Sequence, residues 1–385
     1  MRLLHYFKAV RLQEGGVVRA VLDMCALLAQ AGHGVTLATY DDADVPGAWR
    51  TGGPGLPRVV TLEPPARAAG LFSRAQLARF DDLLRGADVL HLHAVWTPSN
   101  AQVAARARAL GTPYVVSVHG MLDDWSMAQK GLKKRVYLLL RGRRMLEGAA
   151  RVHCTARAEL DQARKHFPRG TGEVIPLVFD LAPFRTLPGP GAARARWPEL
   201  DAGRPNLLFL SRVHYKKGIE HLVRAAARLR DADRACTVIV AGTGDESYQR
   251  SLEALTAELR LGDLVRFVGH VGGELKLSLF QAADLFVLPT SQENFGFALF
   301  ESLACATPVV TTRGVDTWPE LSASGGAALS DPDPARLAET IRGLLADRAA
   351  LARMGEQGRA WVLEHLDSRR IAERFVGMYQ QARGR

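Results

Sequence analysis

The chain has 385 residues, 47% of them hydrophobic and 23% charged, an ordinary globular composition too long for one typical domain and suited to two. Its net charge of +10 and pI near 9.7 favour anionic partners such as nucleotides, nucleic acid or acidic lipid headgroups. The four cysteines, Cys25, Cys154, Cys236 and Cys305, stand far apart in apolar contexts with no Cys-x-x-Cys pair, which predicts buried thiols in a reducing compartment and argues against a disulfide scaffold. The opening Met1 to Phe7 is too short for a signal h-region, and no apolar run approaches membrane-spanning length. A cytoplasmic protein is expected, touching a membrane only at its surface.

Leu3 to Phe7 reads as a buried strand. It is followed by a loop with Gly15 and Gly16, then by Val17, Val18, Val21, Leu22, Cys25 and Leu28 at helical spacing. A glycine pair at such a turn either admits a phosphate close to the helix amides or is simply a tight turn. Val35 to Thr39 and Val59 to Leu62 supply further strands. Asp88 to His93 is a strand ending at a polar edge, with Trp96, Pro98 and Asn100 opening the next helix, and Tyr114 to Gly120 repeats the pattern. Alternating β and α units of this length imply a doubly wound parallel sheet, whose ligands bind outside the carboxyl ends of the strands. His93 and His119 are placed at that rim, where a histidine is either structural or functional. Residues 130–144 carry seven Lys and Arg around Val136 to Leu140, a basic amphipathic helix with two readings: docking on anionic lipid, or a solvated basic face over a core-facing stripe.

The proline- and glycine-rich stretch 181–204 reads as an interdomain linker. It divides an N-terminal domain, 1–180, from a C-terminal one, 205–367. A second sheet begins at Asn206 to Ser211, and directly after it come Arg212, Lys216, Lys217 and Gly218. Cations between a strand and a helix can clamp a diphosphate and neutralise the charge that grows as it departs. Gly242-Thr-Gly244 lacks the third glycine of a dinucleotide fingerprint and is followed by Asp245 and Glu246, so it reads as a turn. Asp331-Pro-Asp333 precedes an apolar helical run and reads as a helix cap rather than a metal motif. After the apolar run Leu285 to Leu288 comes Glu293-Asn-Phe-Gly-Phe-Ala-Leu-Phe-Glu301. Gly296 opens a helix there, Asn294 is the expected N-cap, and free amides at the helix start can face a phosphate or a sugar oxygen.

Taken together, Gly15-Gly16, His119-Gly120, Arg212-x4-Lys217-Gly218 and Glu293-x7-Glu301 resemble, in order and over nearly the whole chain, the motifs of the retaining glycosyltransferases of family 4. That resemblance implies the GT-B fold: two Rossmann-like doubly wound α/β domains facing across a cleft, with the last helix, 368–385, crossing back to the first domain. It implies retaining transfer of a sugar, a hexose or relative, from a nucleoside-diphosphate sugar to a glycan, lipid-linked or small-molecule acceptor, in surface polysaccharide or glycoconjugate synthesis. His119, Glu293, Arg212 and Lys217 are the implied catalytic residues. Gly15, Gly16, Asn294, Phe295, Gly296, Phe297, Glu301, Val268 and His270 are the implied donor-binding set, with Glu301 on the ribose and the stretch from Val268 to Val271 beside the base. No metal and no other cofactor are expected, and surface contact with a membrane through 130–144 would suit a lipid-linked acceptor. The chain departs from the family at Pro176-Leu-Val-Phe-Asp180, where Pro-Asn-Gly-Val-Asp is usual, so no site is assigned to Leu177 or Val178. Two other classes stay open. One is a nucleotide-sugar epimerase of the same fold. The other is a basic nucleotide- or nucleic-acid-binding protein, which the 7% aromatic content, not interleaved with the Lys/Arg clusters, disfavours.

Overall fold

Short apolar runs bounded by glycine and polar turn residues form parallel strands in the computed structural model of the chain, which describes residues 1–65 and 70–384. The chain divides into two units, Met1–Phe179 with Ser368–Arg385, and Asp180–Asp367. In the first, strands β1 (Arg2–Tyr6), β2 (Gly34–Thr39), β3 (Arg58–Thr61), β4 (Val89–His93), β5 (Tyr114–Ser117), β6 (Arg151–Cys154) and β7 (Gly172–Val174) form one sheet in the order β3-β2-β1-β4-β5-β6-β7. All its pairings are parallel. In the second, β8 (Asn206–Leu210), β9 (Thr237–Ala241), β10 (Val265–Gly269), β11 (Leu285–Leu288), β12 (Val309–Thr311) and β13 (Ala327–Leu329) run in the order β10-β9-β8-β11-β12-β13. Each sheet starts at its middle, winds to one edge and returns to wind to the other. The strand order therefore reverses between β1 and β4, and again between β8 and β11. Such reversals open a crevice beyond the strand C-termini, the usual ligand position of this architecture.

Both faces of the first sheet are covered. Tyr6, Phe80, Leu92 and Phe167 belong to one apolar layer, and Leu28, Val35, Phe375 and Met378 to the other. The last two come from the helix Ser368–Arg383, which returns the chain to the first unit. The stretch 181–204 is a correction to the expected linker. Asp180–Asp367 includes it, its short helices Ala182–Arg185 and Gly191–Arg196 bury Phe184 and Ala193, and the Ala193 amide donates to Ser278 Oγ at 2.9 Å. Trp197 and Leu200 are also buried. Its prolines and glycines set turns, and its sparse apolar residues are enough to fix it on the second unit.

Candidate active site

The crevice of the second unit is built by two loops, one after β8 and one after β11. The first carries Arg212 and a single helical turn, Tyr215–Lys217, capped by His214, whose Nδ1 accepts from the Lys216 amide at 3.3 Å. Gly218 ends that turn at φ +68° and starts the helix Ile219–Asp231. A Cβ on Gly218 would sit 2.2 Å from the Pro289 carbonyl oxygen, so glycine is what lets the two loops touch. They are stitched at the Lys216 carbonyl, which accepts from the Ser291 amide at 2.8 Å and from Thr290 Oγ1 at 2.9 Å, while Lys216 Nζ donates to Gln292 Oε1 at 2.8 Å.

This stitching brings Lys217 onto Glu293. Lys217 Nζ donates to Glu293 Oε2 in an ion pair whose lysine side chain is 5% exposed and whose carboxylate is 23% exposed. Burial pushes the Glu293 carboxyl up, but the charge and hydrogen bond of Lys217, the charge of Lys216 and the Asn294 amide outweigh it and hold the group below the usual range. The His214 imidazole is held down by burial and then by Lys216, Arg212 and Lys217, which marks the loop as a concentration of positive charge. Arg212 itself is exposed.

Glu293 is also pinned through its backbone. Its amide donates to the Gly314 carbonyl and its carbonyl accepts from the Asp316 amide, both at 2.9 Å, in a parallel bridge to Val315. Asn294 is a correction: Gly296, at φ +73°, is the N-cap of the helix Phe297–Ala304, and no side chain caps it. Asn294 Nδ2 instead donates to Asp316 Oδ2 at 3.1 Å. The N-cap itself thus brings no side chain to that helix start, and a glycine there lets a ligand come close to the backbone. Phe295 and Phe297 pack against each other at 5.0 Å between ring centroids, and the Phe295 carbonyl accepts from Thr317 Oγ1. Glu301 is paired with Lys276 Nζ at 2.7 Å, a partner that sequence reasoning missed although Lys276 opens no motif of its own.

Val268 is the extra residue of a β-bulge in the edge strand β10, where the register slips between Phe267 and Gly269. Bulges turn the backbone away from its ladder at a strand end, and His270 follows it exposed. Gly242 and Gly244 approach the backbone after β8: added Cβ atoms would lie 1.8 Å from the Ser211 carbonyl oxygen and 1.9 Å from that of Val213. They serve packing, in keeping with a turn. Asp333 caps the helix Pro334–Leu345 through the Ala335 and Arg336 amides, both at 3.0 Å.

In the first unit, Gly15 at φ +111° is the N-cap of the helix Gly16–Gln30, with no capping side chain, and a Cβ there would meet nothing within 4 Å. His119 follows β5 at φ +51°, a left-handed conformation rare for a side-chain-bearing residue. Glu159, fully buried, braces that turn by accepting the Gly120 amide and, from the end of β6, the Thr155 hydroxyl at 2.8 Å. Sequence reasoning missed Glu159, whose only local signal is a carboxylate early in an apolar helix. Burial pushes the His119 imidazole down to about 3, with His153 adding to the effect, so the ring is neutral near pH 7. Nitrogens of His5, His91 and His93 lie within 4.8 Å of one another, but both ring nitrogens of His91 and of His93 already hold hydrogen-bond partners. Cys25, Cys154, Cys236 and Cys305 are buried thiols, none of them in a disulfide.

The chain matches two family models, "Glycosyl transferase 4-like domain" over residues 15–177 and "Glycosyl transferases group 1" over 195–361. It is similar to D-inositol 3-phosphate glycosyltransferase 1 of Catenulispora acidiphila, 31% identical over 350 residues, covering 85% of this chain and 79% of that protein. Glycogen synthase of Mycobacterium tuberculosis is 28% identical over 306 residues, 77% of this chain and 69% of that one. Among solved structures, Anabaena HepE in complex with UDP superposes with a TM-score of 0.80 at 18% identity, covering 99% and 100% of the two chains. Sucrose-phosphate synthase from Thermosynechococcus elongatus gives 0.78 at 23%, covering 99% of each. Fold, motif order and sequence similarity converge: the chain belongs to the glycosyl transferases group 1 family, family 4, and is a glycosyltransferase of the GT-B type.

Proposed function

We propose that this glycosyltransferase moves a hexose from a nucleoside-diphosphate sugar to a glycan, lipid-linked or small-molecule acceptor, with retention and without a metal, in the synthesis of a surface polysaccharide or glycoconjugate. The observation that carries this reading is the pairing of a buried lysine, Lys217, with Glu293 at the strand reversal of the second unit, beside exposed Arg212 and the glycine N-cap Gly296 of the next helix. Departure of a nucleoside diphosphate leaves charge on the β-phosphate. On this reading Lys217, Arg212 and the amides of the helix start meet it, doing the work otherwise given to a divalent ion. Glu293 holds a sugar hydroxyl near the reacting carbon, Glu301 binds the ribose, His119 orients the sugar and β-phosphate, and the nucleophile attacks on the face the diphosphate leaves. Gly15 and Gly16 offer amides to the phosphates, and the bulged backbone at Val268 and His270 borders the base.

A lipid-linked acceptor is favoured by a specific feature of the first unit. Residues 131–147 form one helix with a π-turn at 138–142, and Leu132, Leu139 and Leu140 on it are 80%, 79% and 71% exposed. These leucines, with half-exposed Val136, recur at i, i+4, i+7 and i+8 among exposed Lys133, Arg135, Arg141, Arg143 and Arg144. An apolar stripe in solvent rimmed by cations fits the interface of an anionic bilayer.

A thermal-shift panel of UDP, GDP, ADP and their sugars, with Mg2+ or with EDTA, followed by product analysis, tests the donor reading. A ligand selective for the native state raises its melting temperature. One nucleotide should win equally in both media, and its sugar should appear on an acceptor with the same anomeric configuration. A requirement for Mg2+, an inverted product, or release of free sugar without acceptor would each sink a named part of the proposal.

A further inference from the structure

Six polar side chains lie on one face of the first sheet, where the C-terminal helix sets Phe375 and Tyr379 against His5, His91 and His153: His5 on β1, His91 and His93 on β4, Ser117 on β5, His119 just after it, and His153 on β6. All are at most 5% exposed. They share a face because His5 pairs with His91, His93 with Ser117, and Ser117 with His153 across parallel neighbours, and alternate residues point the same way. Their hydrogen bonds resolve into two separate chains.

The first chain has a fixed direction. His153 Nε2 lies 2.8 Å from the Ile175 carbonyl oxygen, an acceptor only, so this nitrogen carries the proton and Nδ1 accepts. Ser117 Oγ, 2.6 Å from that Nδ1, therefore donates to it and accepts from His91 Nε2 at 2.7 Å. His91 Nδ1 is left to accept from the Tyr379 hydroxyl at 2.7 Å. One carbonyl sets every proton.

The second chain has no such anchor. His5 Nδ1 is 3.1 Å from His93 Nε2, and His93 Nδ1 is 3.2 Å from His119 Nε2. Both outer nitrogens, His5 Nε2 and His119 Nδ1, are buried without a partner among the described residues. A neutral imidazole donates at one nitrogen and accepts at the other, so the two bonds can be made in only two ways: all three rings protonated on Nδ1, or all three on Nε2. Burial holds His5 and His119 down to about 3 and His93 well below its ordinary range, so no imidazolium breaks this rule near pH 7.

We propose that His5, His93 and His119 act as one two-register tautomer relay, and that an oxygen acceptor at His119 Nδ1, such as a donor phosphate or sugar oxygen, selects the register in which every ring carries its proton on Nδ1. His93 and His5 are then positioning residues. The change from the Nε2 register passes a proton from His119 to His93 and another from His93 to His5, while water supplies one proton at His119 Nδ1 and takes one from His5 Nε2 during local opening. In the other register His119 presents a lone pair and would reject the same oxygen. An unpartnered buried nitrogen at each end is what leaves the choice to the ligand.

The ligand arm rests on the proposed placing of His119 beside the donor; the coupling of the rings does not. Nitrogen NMR of the intact protein with labelled histidine rings reads the fraction of each tautomer at each ring, with assignments from single His→Gln variants. The expected result is one common Nδ1-protonated fraction at His5, His93 and His119 in the free protein, rising together at all three when UDP-glucose is bound as the probe. Unequal fractions in the free protein, or a change at His119 alone, overturn the relay. In His93→Phe, His119 should still respond to the probe while His5 falls silent; a His5 that still follows His119 also refutes it. If that variant does not fold, the wild-type fractions decide. Failure of nucleotide sugars to bind would count against the donor reading and leave the free-protein fractions as the test of the relay.

Discussion

Replacing Lys217 by alanine perturbs the proposed chemistry and the fold by separable amounts. The lysine is 4% exposed and its ammonium group rests on Glu293, so the substitution removes a cation from the proposed diphosphate position and a partner from a largely buried carboxylate. Loss of one positioned charge-stabilising group lowers kcat by roughly 10²–10³, about 3–4 kcal/mol. The stability loss is bounded by about 3–5 kcal/mol for stranding a fully buried charge. Because the Glu293 side chain keeps 23% exposure and Lys216 also acts on it, about 1–3 kcal/mol is expected, a fall of roughly 2–4 °C in Tm for each kcal/mol. The assay pairs initial transfer rates with thermal unfolding, on Lys217→Ala and on Lys217→Met, which retains the apolar stem without the charge. Both variants should remain folded at assay temperature and lose turnover alike. Wild-type turnover in either one refutes the clamp. Recovery of turnover in Lys217→Met alone would show that the stem, not the charge, mattered.

The other two predictions address the first unit. His5, His119 and His153 are held by burial at about 3, 3 and 4, with His91 and His93 also pushed down, so the unfolded chain takes up protons that the folded rings refuse. Their folded values lie below the unfolded ones, so stability is full above about pH 6.5 and falls as pH drops, by up to about 1.4 kcal/mol per pH unit for each ring. Amide exchange in β4, β5 and β6 should therefore accelerate steeply between about pH 6.5 and 5; protection that stays flat there contradicts neutral burial. On the basic helix, Leu139→Asp with Leu140→Asp should weaken binding to vesicles containing anionic lipid by at least tenfold, since burying each leucine is worth about 1.5–3 kcal/mol. Unchanged sedimentation of the variant with such vesicles would dismiss the docking reading.

Much of this was legible in the chain because local chemistry and tertiary role coincide. Arg212, Lys217, Gly218, Glu293 and Gly296 each follow a strand that its apolar run announces, and the strand reversal between β8 and β11 puts them in one crevice. The strands not legible in the chain, β6, β7 and β13, are three or four residues long and, unlike the equally short Leu285–Leu288, offer polar or small residues rather than a continuous run of large apolar ones. The helix Arg74–Arg85 carries a capping box, Ser73 to Gln76, as its local signal. Asn294 misled for a different reason. Its composition suits an N-cap, but Asp316, distant in sequence, offers its amide a stronger acceptor, and the glycine two residues on takes the left-handed turn. Glu159 and Lys276 are invisible in the same way, since their partners Gly120 and Glu301 are fixed only by the fold.

The pairing of each motif carboxylate with a lysine bears on how the site is held ready. Glu293 sits on Lys217 and Glu301 on Lys276, so neither acid is left to disrupt the crevice by unpaired burial. On the proposed reading, a diphosphate arriving at Lys217 would add negative charge beside Glu293, and the lysine could not keep its full attraction for both. The proposed role of Glu293 resolves the conflict. A sugar hydroxyl donating to its carboxylate replaces the bond that Lys217 gives up, and only a ligand carrying both diphosphate and sugar supplies the two exchanges at once. A bare nucleoside diphosphate would strip Lys217 without compensating Glu293. If those roles hold, the Lys217–Glu293 pair would itself favour the intact donor over the bare diphosphate.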